Sequence, residues 1–129
     1  MVRSPYAHAK VLGIETADAA AAPGVHAVYT GADLDAMGLW IGPLPCAWPV
    51  TPDMKNPAHY PLAVSKVHYV GDGIVAVLAT SETISRDALD LIDVTYEVLP
   101  AVVDLDEALS DKVILHEELG TNSSYTWPL

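Results

Sequence analysis

Short segments with regularly spaced hydrophobic residues alternate with turn sequences along most of this chain. Ala9 to Thr16 and Val25 to Tyr29 carry the loose alternation of apolar and polar residues that predicts β-strands. Between them, Ala17 to Ala22 predicts a short helix that the Thr16 hydroxyl caps and that Pro23-Gly24 ends. Strand, helix and strand with short connections predict the beginning of a crossover unit.

Further helices are indicated by capping patterns and by helical periodicity. Thr30 and Asp33 have capping-box spacing ahead of a predicted helix from Gly31 to Met37, and Asp104 and Glu107 predict a final helical turn. The clearest helix lies between these two. Its apolar residues recur at helical spacing and are Ile84, Ala88, Leu91 and Ile92.

Three strands complete the pattern in the second half of the chain. Lys66 to Val70 and Ile74 to Thr80 flank Gly71-Asp72-Gly73, which predicts a hairpin with a tight turn. The segment from Ile74 to Thr80, which contains Val77, is apolar at nearly every position and is therefore expected in the middle of a covered sheet. Val94 to Leu99 predicts the last strand. The fold class predicted from these elements is α+β or α/β, with two helices of useful size.

A long proline-rich loop from Leu39 to Pro61 separates the two halves. It carries six prolines, which remove backbone donors and fix φ too often for a helix or a central strand: Pro43, Pro45, Pro49, Pro52, Pro57 and Pro61. Loops of this length without secondary structure are uncommon and usually have a function or contact another element.

Composition narrows the classes of function. The 129 residues suit one domain, and a net charge of −11 disfavours nucleic acid and anionic membranes as partners. The longest apolar run, Ile74 to Ala79, is far too short to span a bilayer, and no apolar stretch follows Met1 as a signal peptide would require. The single cysteine excludes an internal disulfide, so we expect a cytoplasmic location.

Residue types that carry chemistry are present without the spacing that catalysis or metal binding usually shows. Cys46 has no nearby Lys or Arg to lower its thiol pKa, and Glu117-Glu118 are neighbours that usually point in different directions. No two histidines share a helix face or alternate in a strand, which leaves only a zinc site assembled from distant positions as an alternative to surface or hydrogen-bonded roles. The histidines are His8, His26, His59, His68 and His116.

The order of these segments resembles the α/β hammerhead domain of the xanthine dehydrogenase and aldehyde oxidase family. In that family the domain belongs to the large subunit of molybdenum hydroxylases. The similarity runs from about residue 2 to residue 120, and Gly73 departs from the proline that is usual in the family. The segments that carry it are Arg3-Ser4-Pro5-Tyr6-Ala7-His8-Ala9, Pro23-Gly24-Val25-His26-Ala27-Val28, Thr30-Gly31-Ala32-Asp33-Leu34, Lys66-Val67-His68-Tyr69-Val70-Gly71-Asp72, Asp93-Val94-Thr95-Tyr96-Glu97-Val98-Leu99-Pro100-Ala101-Val102 and His116-Glu117-Glu118. Leu44-Pro45-Cys46-Ala47-Trp48 and Met54-Lys55-Asn56-Pro57 look most like the branch of aerobic carbon monoxide dehydrogenases.

The resemblance implies a hammerhead-type fold over residues 1–120, with a small mixed sheet, about two main helices and an irregular tail over 121–129. It implies an oxidoreductase whose molybdopterin lies beyond this domain, with FAD and 2Fe-2S clusters in partner subunits and a homodimeric assembly. No catalytic, cofactor-binding or metal-binding residue is carried over. The loop over 39–61 is expected to approach the substrate entrance, with Leu44, Pro45, Cys46 and Trp48 as channel-lining residues.

The residues leave two other interpretations open. One is a free-standing binding domain that uses the proline-rich loop to recognise a small molecule or peptide. The other is a small independent enzyme that uses Cys46, His59 or Glu118, which a depressed Cys46 pKa would support.

Overall fold

The computed structural model describes residues 1–38, 44 and 50–127, and it divides the strands between two three-stranded antiparallel sheets. The strands are β1 (Val2–Arg3), β2 (Ala9–Glu15), β3 (Val25–Thr30), β4 (Lys66–Val67), β5 (Gly73–Ala79) and β6 (Asp93–Val98). The helices are α1 (Ala17–Ala21), α2 (Gly31–Ala36), α3 (Glu82–Leu89) and α4 (Leu105–Leu109), followed by a 3-10 turn at Glu117–Leu119. The α+β class is confirmed, although one mixed sheet was expected.

The first sheet has the order β1-β5-β3 and is covered by helices. Helices α1 and α2 pack against β3, and α3 packs against β5. Ile74 and Val75 at the start of β5 are fully buried, whereas Val77 is half-buried and Leu78 is 56% exposed. The prediction of a central strand is therefore confirmed, but the strand is covered on both faces only in its first half.

The second sheet has the order β4-β2-β6 and shares the core of the first. Ala9 on β2 and Val67 on β4 are completely buried and belong to the same hydrophobic cluster as Ile74. On the outer side, Lys10 and Glu97 face each other across β2 and β6 and form an ion pair of 3.0 Å. The two sheets are thus joined by packing rather than by backbone pairing.

Two predicted strand pairings are wrong, and both fail because neighbouring strands lie in different sheets. The predicted hairpin of residues 66–80 does not form: β4 pairs with β2, and β5 pairs with β1 and β3. Gly71-Asp72-Gly73 carries the chain from one sheet to the other, with the Asp72 N–H bonded to the Tyr69 carbonyl at 3.2 Å. Likewise β2 and β3 are not paired, so the predicted crossover unit is absent.

The helix ends agree with the sequence patterns except at one cap. Thr30 and Asp33 form the predicted capping box, and the Asp104 carboxylate accepts the Glu107 N–H at 3.0 Å. The predicted Thr16 cap is wrong, since its side chain makes no capping hydrogen bond. On α3, Glu82 and Arg86 are four residues apart and form an ion pair of 2.7 Å. None of the helices within the described ranges is long and apolar enough to cross a membrane.

Candidate functional site

A cavity of about 440 Å³ lies beside the second sheet and is walled by three separated stretches of chain. One is the end of the proline-rich loop, the second runs from Ala63 past β4 to Asp72, and the third is the turn at residues 116–118. Its lining is Pro57, Ala58, His59, Tyr60, Ala63, Val64, Ser65, Lys66, His68, Tyr69, Asp72, His116, Glu117 and Glu118. Volumes of this order suit a small organic molecule.

Three imidazole rings from distant parts of the sequence stack in a column beside this cavity. The ring of His68 lies between those of His8 and His116, with centroid separations of 5.8 Å and 4.1 Å. The rings are close to parallel, at 26° and 15° between planes. The sequence spacing of the histidines, which share no helix face and do not alternate in a strand, does not indicate this column.

His8 anchors the column inside the protein. It is 3% exposed, and its Nδ1 lies 2.7 Å from the Pro100 carbonyl oxygen. Because that oxygen only accepts, Nδ1 carries a proton and donates it. The other ring nitrogen, Nε2, is buried and has no hydrogen-bond partner among the residues the structure describes. The Nδ1 hydrogen bond to the Pro100 carbonyl holds the segment before β2 against the chain after β6.

The environment of His68 keeps its ring uncharged at neutral pH. Burial, followed by the neighbouring His116 and His8, lowers the pKa of His68 to about 4, while Asp72 opposes the shift. A neutral imidazole in the middle of the column avoids placing like charges on stacked rings. The central ring of the column is therefore an uncharged aromatic group at neutral pH.

The two adjacent glutamates bind different partners, as their neighbouring positions predict. The Lys66 ammonium donates to the Glu117 carboxylate at 2.6 Å, and this hydrogen bond lowers the pKa of Glu117. Glu118 lies 3.2 Å from His116 Nδ1. The Lys66–Glu117 contact ties the turn at residues 116–118 to β4, whereas the Glu118–His116 contact lies within the turn. The turn meets the histidine column through the stacking of His116 on His68.

Asp72 and Tyr69 shape the opposite wall. Asp72 is buried, and its carboxylate accepts the His68 backbone N–H at 3.2 Å. Burial, followed by the nearby Asp72 carboxylate, raises the pKa of Tyr69 above its ordinary value. Gly71, with φ of +95°, supplies the left-handed backbone that bends the chain here. The Tyr69 ring stacks on His59 with centroids 6.1 Å apart and 14° between planes.

Of the four predicted channel-lining residues, the structure describes only Leu44. Its N–H bonds to the His59 carbonyl at 2.7 Å, which connects it to the cavity wall, although Leu44 does not itself line the cavity. Pro45, Cys46 and Trp48 lie outside the described residues. His59 and Glu118, named for the alternative of a small enzyme, both line the cavity.

The described residues do not fit a metal centre. Among residues 1–38, 44 and 50–127, no three His, Cys, Asp or Glu side chains are grouped so as to hold an ion. The histidine column has the wrong geometry, because a metal lies in the plane of each imidazole ligand and near-parallel rings 4.1 Å apart do not aim at one point. The arrangement is suited to binding a ligand rather than to coordinating a metal ion.

Sequence reasoning missed the histidine column and the cavity because no local pattern encodes them. His8 precedes β2, His68 follows β4 and His116 precedes the last turn, so only the pairing of β2 with β4 brings the first two together. One signal was available. His8, His68 and His116 each fall within a segment that carries the family resemblance.

The comparisons with known proteins agree with one another. The family model described as "Aldehyde oxidase and xanthine dehydrogenase, a/b hammerhead domain" matches residues 1–100. The gamma subunit of the 6-hydroxypseudooxynicotine dehydrogenase complex of Paenarthrobacter nicotinovorans is 35% identical over 96% of this chain and 16% of its own length. The carbon monoxide dehydrogenase large chain of Hydrogenophaga pseudoflava is 35% identical over 96% of this chain and 14% of its own.

The crystal structure of quinoline 2-oxidoreductase from Pseudomonas putida 86 superposes with a TM-score of 0.81 at 35% identity. That superposition covers 93% of this chain and 15% of the other. The chain thus spans about one-sixth or less of the length of the relatives it matches.

Proposed function

This chain belongs to the aldehyde oxidase and xanthine dehydrogenase family as its a/b hammerhead domain, and on that premise we propose that it is a structural and substrate-channel-lining domain of a molybdopterin-dependent oxidoreductase. In this proposal the rest of the large subunit supplies the molybdenum site, and FAD and iron–sulfur subunits carry the electrons away. This chain supplies no catalytic residue. Its relatives support an oxidoreductase, since their names include dehydrogenases, a hypoxanthine oxidase and a hydroxylase.

The observation that carries the channel role is the cavity at the end of the proline-rich loop. Pro57, Ala58, His59 and Tyr60 belong to that loop and line the cavity, and the described part of the loop is attached there through Leu44 and His59. A loop that borders an open cavity can change what enters it without taking part in the reaction. Binding and steric selection are therefore the roles that this geometry supports.

The exposed surface supports a domain that packs against further polypeptide. Val103 is 90% exposed, and Leu105 and Leu109, which are four residues apart on α4, are 81% and 73% exposed. Exposed apolar side chains gathered in one region usually mark contacts with another protein element. The cavity itself favours a second candidate, a small-molecule binding domain that acts alone, and the natural length of the reading frame separates the two.

The experiment that tests the channel role changes Trp48 in the assembled large subunit. Trp48→Ala is expected to leave molybdenum content near normal and to change kcat/KM by different factors for a small and a bulky substrate, because it alters access and not the reacting centre. Trp127→Ala is the matched control, since this tryptophan is 59% exposed in the tail and lines no described cavity. Loss of molybdenum in Trp48→Ala, or one common factor for every substrate, would contradict the proposal.

A further inference from the structure

Aromatic rings form part of the cavity lining. Two stacked pairs contribute to the lining, His68 with His116 at 15° between planes and His59 with Tyr69 at 14°. Tyr60 adds a further ring. Planar ligands gain from offset stacking and edge contacts with such rings, whereas branched aliphatic ligands do not.

The charges around the cavity favour a cation. Three described lining residues are acidic, Asp72, Glu117 and Glu118, and Lys66 is the lysine among them, so the carboxylates outnumber the ammonium group by two. Lys66 is engaged by Glu117 at 2.6 Å, so among the described lining residues no Lys or Arg side chain is left to receive an anion. Aromatic faces attract cations as well, most strongly where water is partly excluded.

We propose that this cavity binds a planar organic cation, held by stacking on its aromatic lining and by the excess of carboxylates, and that it discriminates against planar anions. This inference rests on the proposed function only in one respect, namely that the ligand is a substrate or product that passes through the cavity. The binding itself is a property of this chain. Glu118 is half exposed, and its described polar contact is with the His116 ring at 3.2 Å, so it is the carboxylate best able to face the ligand.

Three probes of nearly equal size and shape test the proposal: 1-methylquinolinium, quinoline and quinoline-2-carboxylate. Each is titrated at pH 7 into the isotopically labelled 129-residue chain, and amide chemical shifts are followed at the cavity-lining residues. We expect affinity to fall in the order cation, neutral molecule, anion, with about tenfold or more between the first and the last. We also expect the shifts to centre on His68, Tyr69 and Glu118.

Two variants assign the two sources of affinity. Glu118→Gln is expected to weaken binding of the cation about three- to tenfold while leaving quinoline unchanged, since only the charge is removed. Tyr69→Leu is expected to weaken all three probes, because it removes a ring that every planar ligand contacts. Glu15→Gln is the matched control, since Glu15 lies at the end of β2 and does not line the cavity.

Equal or tighter binding of the anion overturns the proposal, as does an undiminished affinity for the cation in Glu118→Gln. Absence of binding by all three probes also overturns it. Should a variant change the far-UV spectrum of the chain, the order of the three probes on the unmodified chain still decides. The Trp48 experiment uses the assembled large subunit and compares kcat/KM for substrates of different size. Either proposal can therefore fail while the other stands.

Discussion

The two three-stranded sheets of this domain differ in what surrounds them. The first, β1-β5-β3, is covered by α1, α2 and α3 and contains Ile74 and Val75, which are fully buried. The second, β4-β2-β6, contributes to the same core but carries the candidate site at the ends of its strands. His8 immediately precedes β2 and His68 immediately follows β4. In this fold a shared core fixes the strands, and the side chains of the candidate site lie just beyond the strand ends.

The largest effect is expected in the first sheet. Val75→Asp places an uncompensated carboxylate at a position that is 0% exposed, which is expected to cost on the order of 4 kcal/mol and to unfold much of the population. Leu78→Asp is the matched control on the same strand, because Leu78 is 56% exposed. Urea unfolding followed by circular dichroism measures both. Similar losses in the two variants would contradict the assignment of the buried core.

An intermediate effect is expected at the histidine column, and it depends on pH. The folded-state pKa of His68 is lowered from 6.5 to about 4, so folding disfavours its protonated form. The stability that a neutral His68 contributes is fully present above pH 6.5 and is lost as the pH falls towards 4. A shift of this size corresponds to about 3 kcal/mol, which screening at a partly exposed ring reduces to roughly 1–2 kcal/mol.

His68→Phe tests that pH dependence, because it keeps a ring in the column and removes the titrating nitrogen. Urea midpoints at pH 7 and pH 5 are expected to differ less in this variant than in the unmodified chain. His26→Phe, at an exposed position on β3, should leave the difference unchanged. An unaltered pH dependence in His68→Phe would show that the column does not titrate as described.

The smallest effect distinguishes two ion pairs. Lys66 is 20% exposed and joins β4 to the turn that closes the cavity, whereas Lys10 is 46% exposed and pairs across β2 and β6. We expect Lys66→Met to cost about 1 kcal/mol and Lys10→Met about half of that or less. Thermal unfolding at low and high salt measures both variants. A larger loss at Lys10 would contradict the structural importance of the Lys66–Glu117 contact.

Local features of this fold could be read from the sequence. Helix α3 was indicated by apolar residues at helical spacing, and α2 by the capping-box positions Thr30 and Asp33, which the structure reproduces. The apolar character of β5 correctly indicated a central strand. Each of these features depends on residues within a few positions of one another, so its physical cause is local in the sequence.

Long-range features could not be read in this way. Gly71-Asp72-Gly73 has the composition of a hairpin turn, yet the strands beside it pair with others because burial of Val67 and Ile74 in one core outweighs local turn preference. The histidine column depends on the pairing of β2 with β4 and on the return of residue 116, neither of which leaves a local signal. Within the candidate site, the sequence indicated the proline-rich loop that borders the cavity. It did not indicate the walls formed by residues 63–72 and 116–118.

The division between a stabilising sheet and a site-bearing sheet is tested most directly in the large subunit that we propose for this chain, by its molybdenum content. Val75→Asp in the first sheet and Tyr69→Ala in the cavity wall are compared by elemental analysis, with kcat/KM measured for a small and a bulky substrate. The account predicts that Val75→Asp loses molybdenum and soluble yield together. Tyr69→Ala should keep its molybdenum and change the ratio of the two kcat/KM values by about threefold or more. Loss of molybdenum in both variants to the same extent would contradict it.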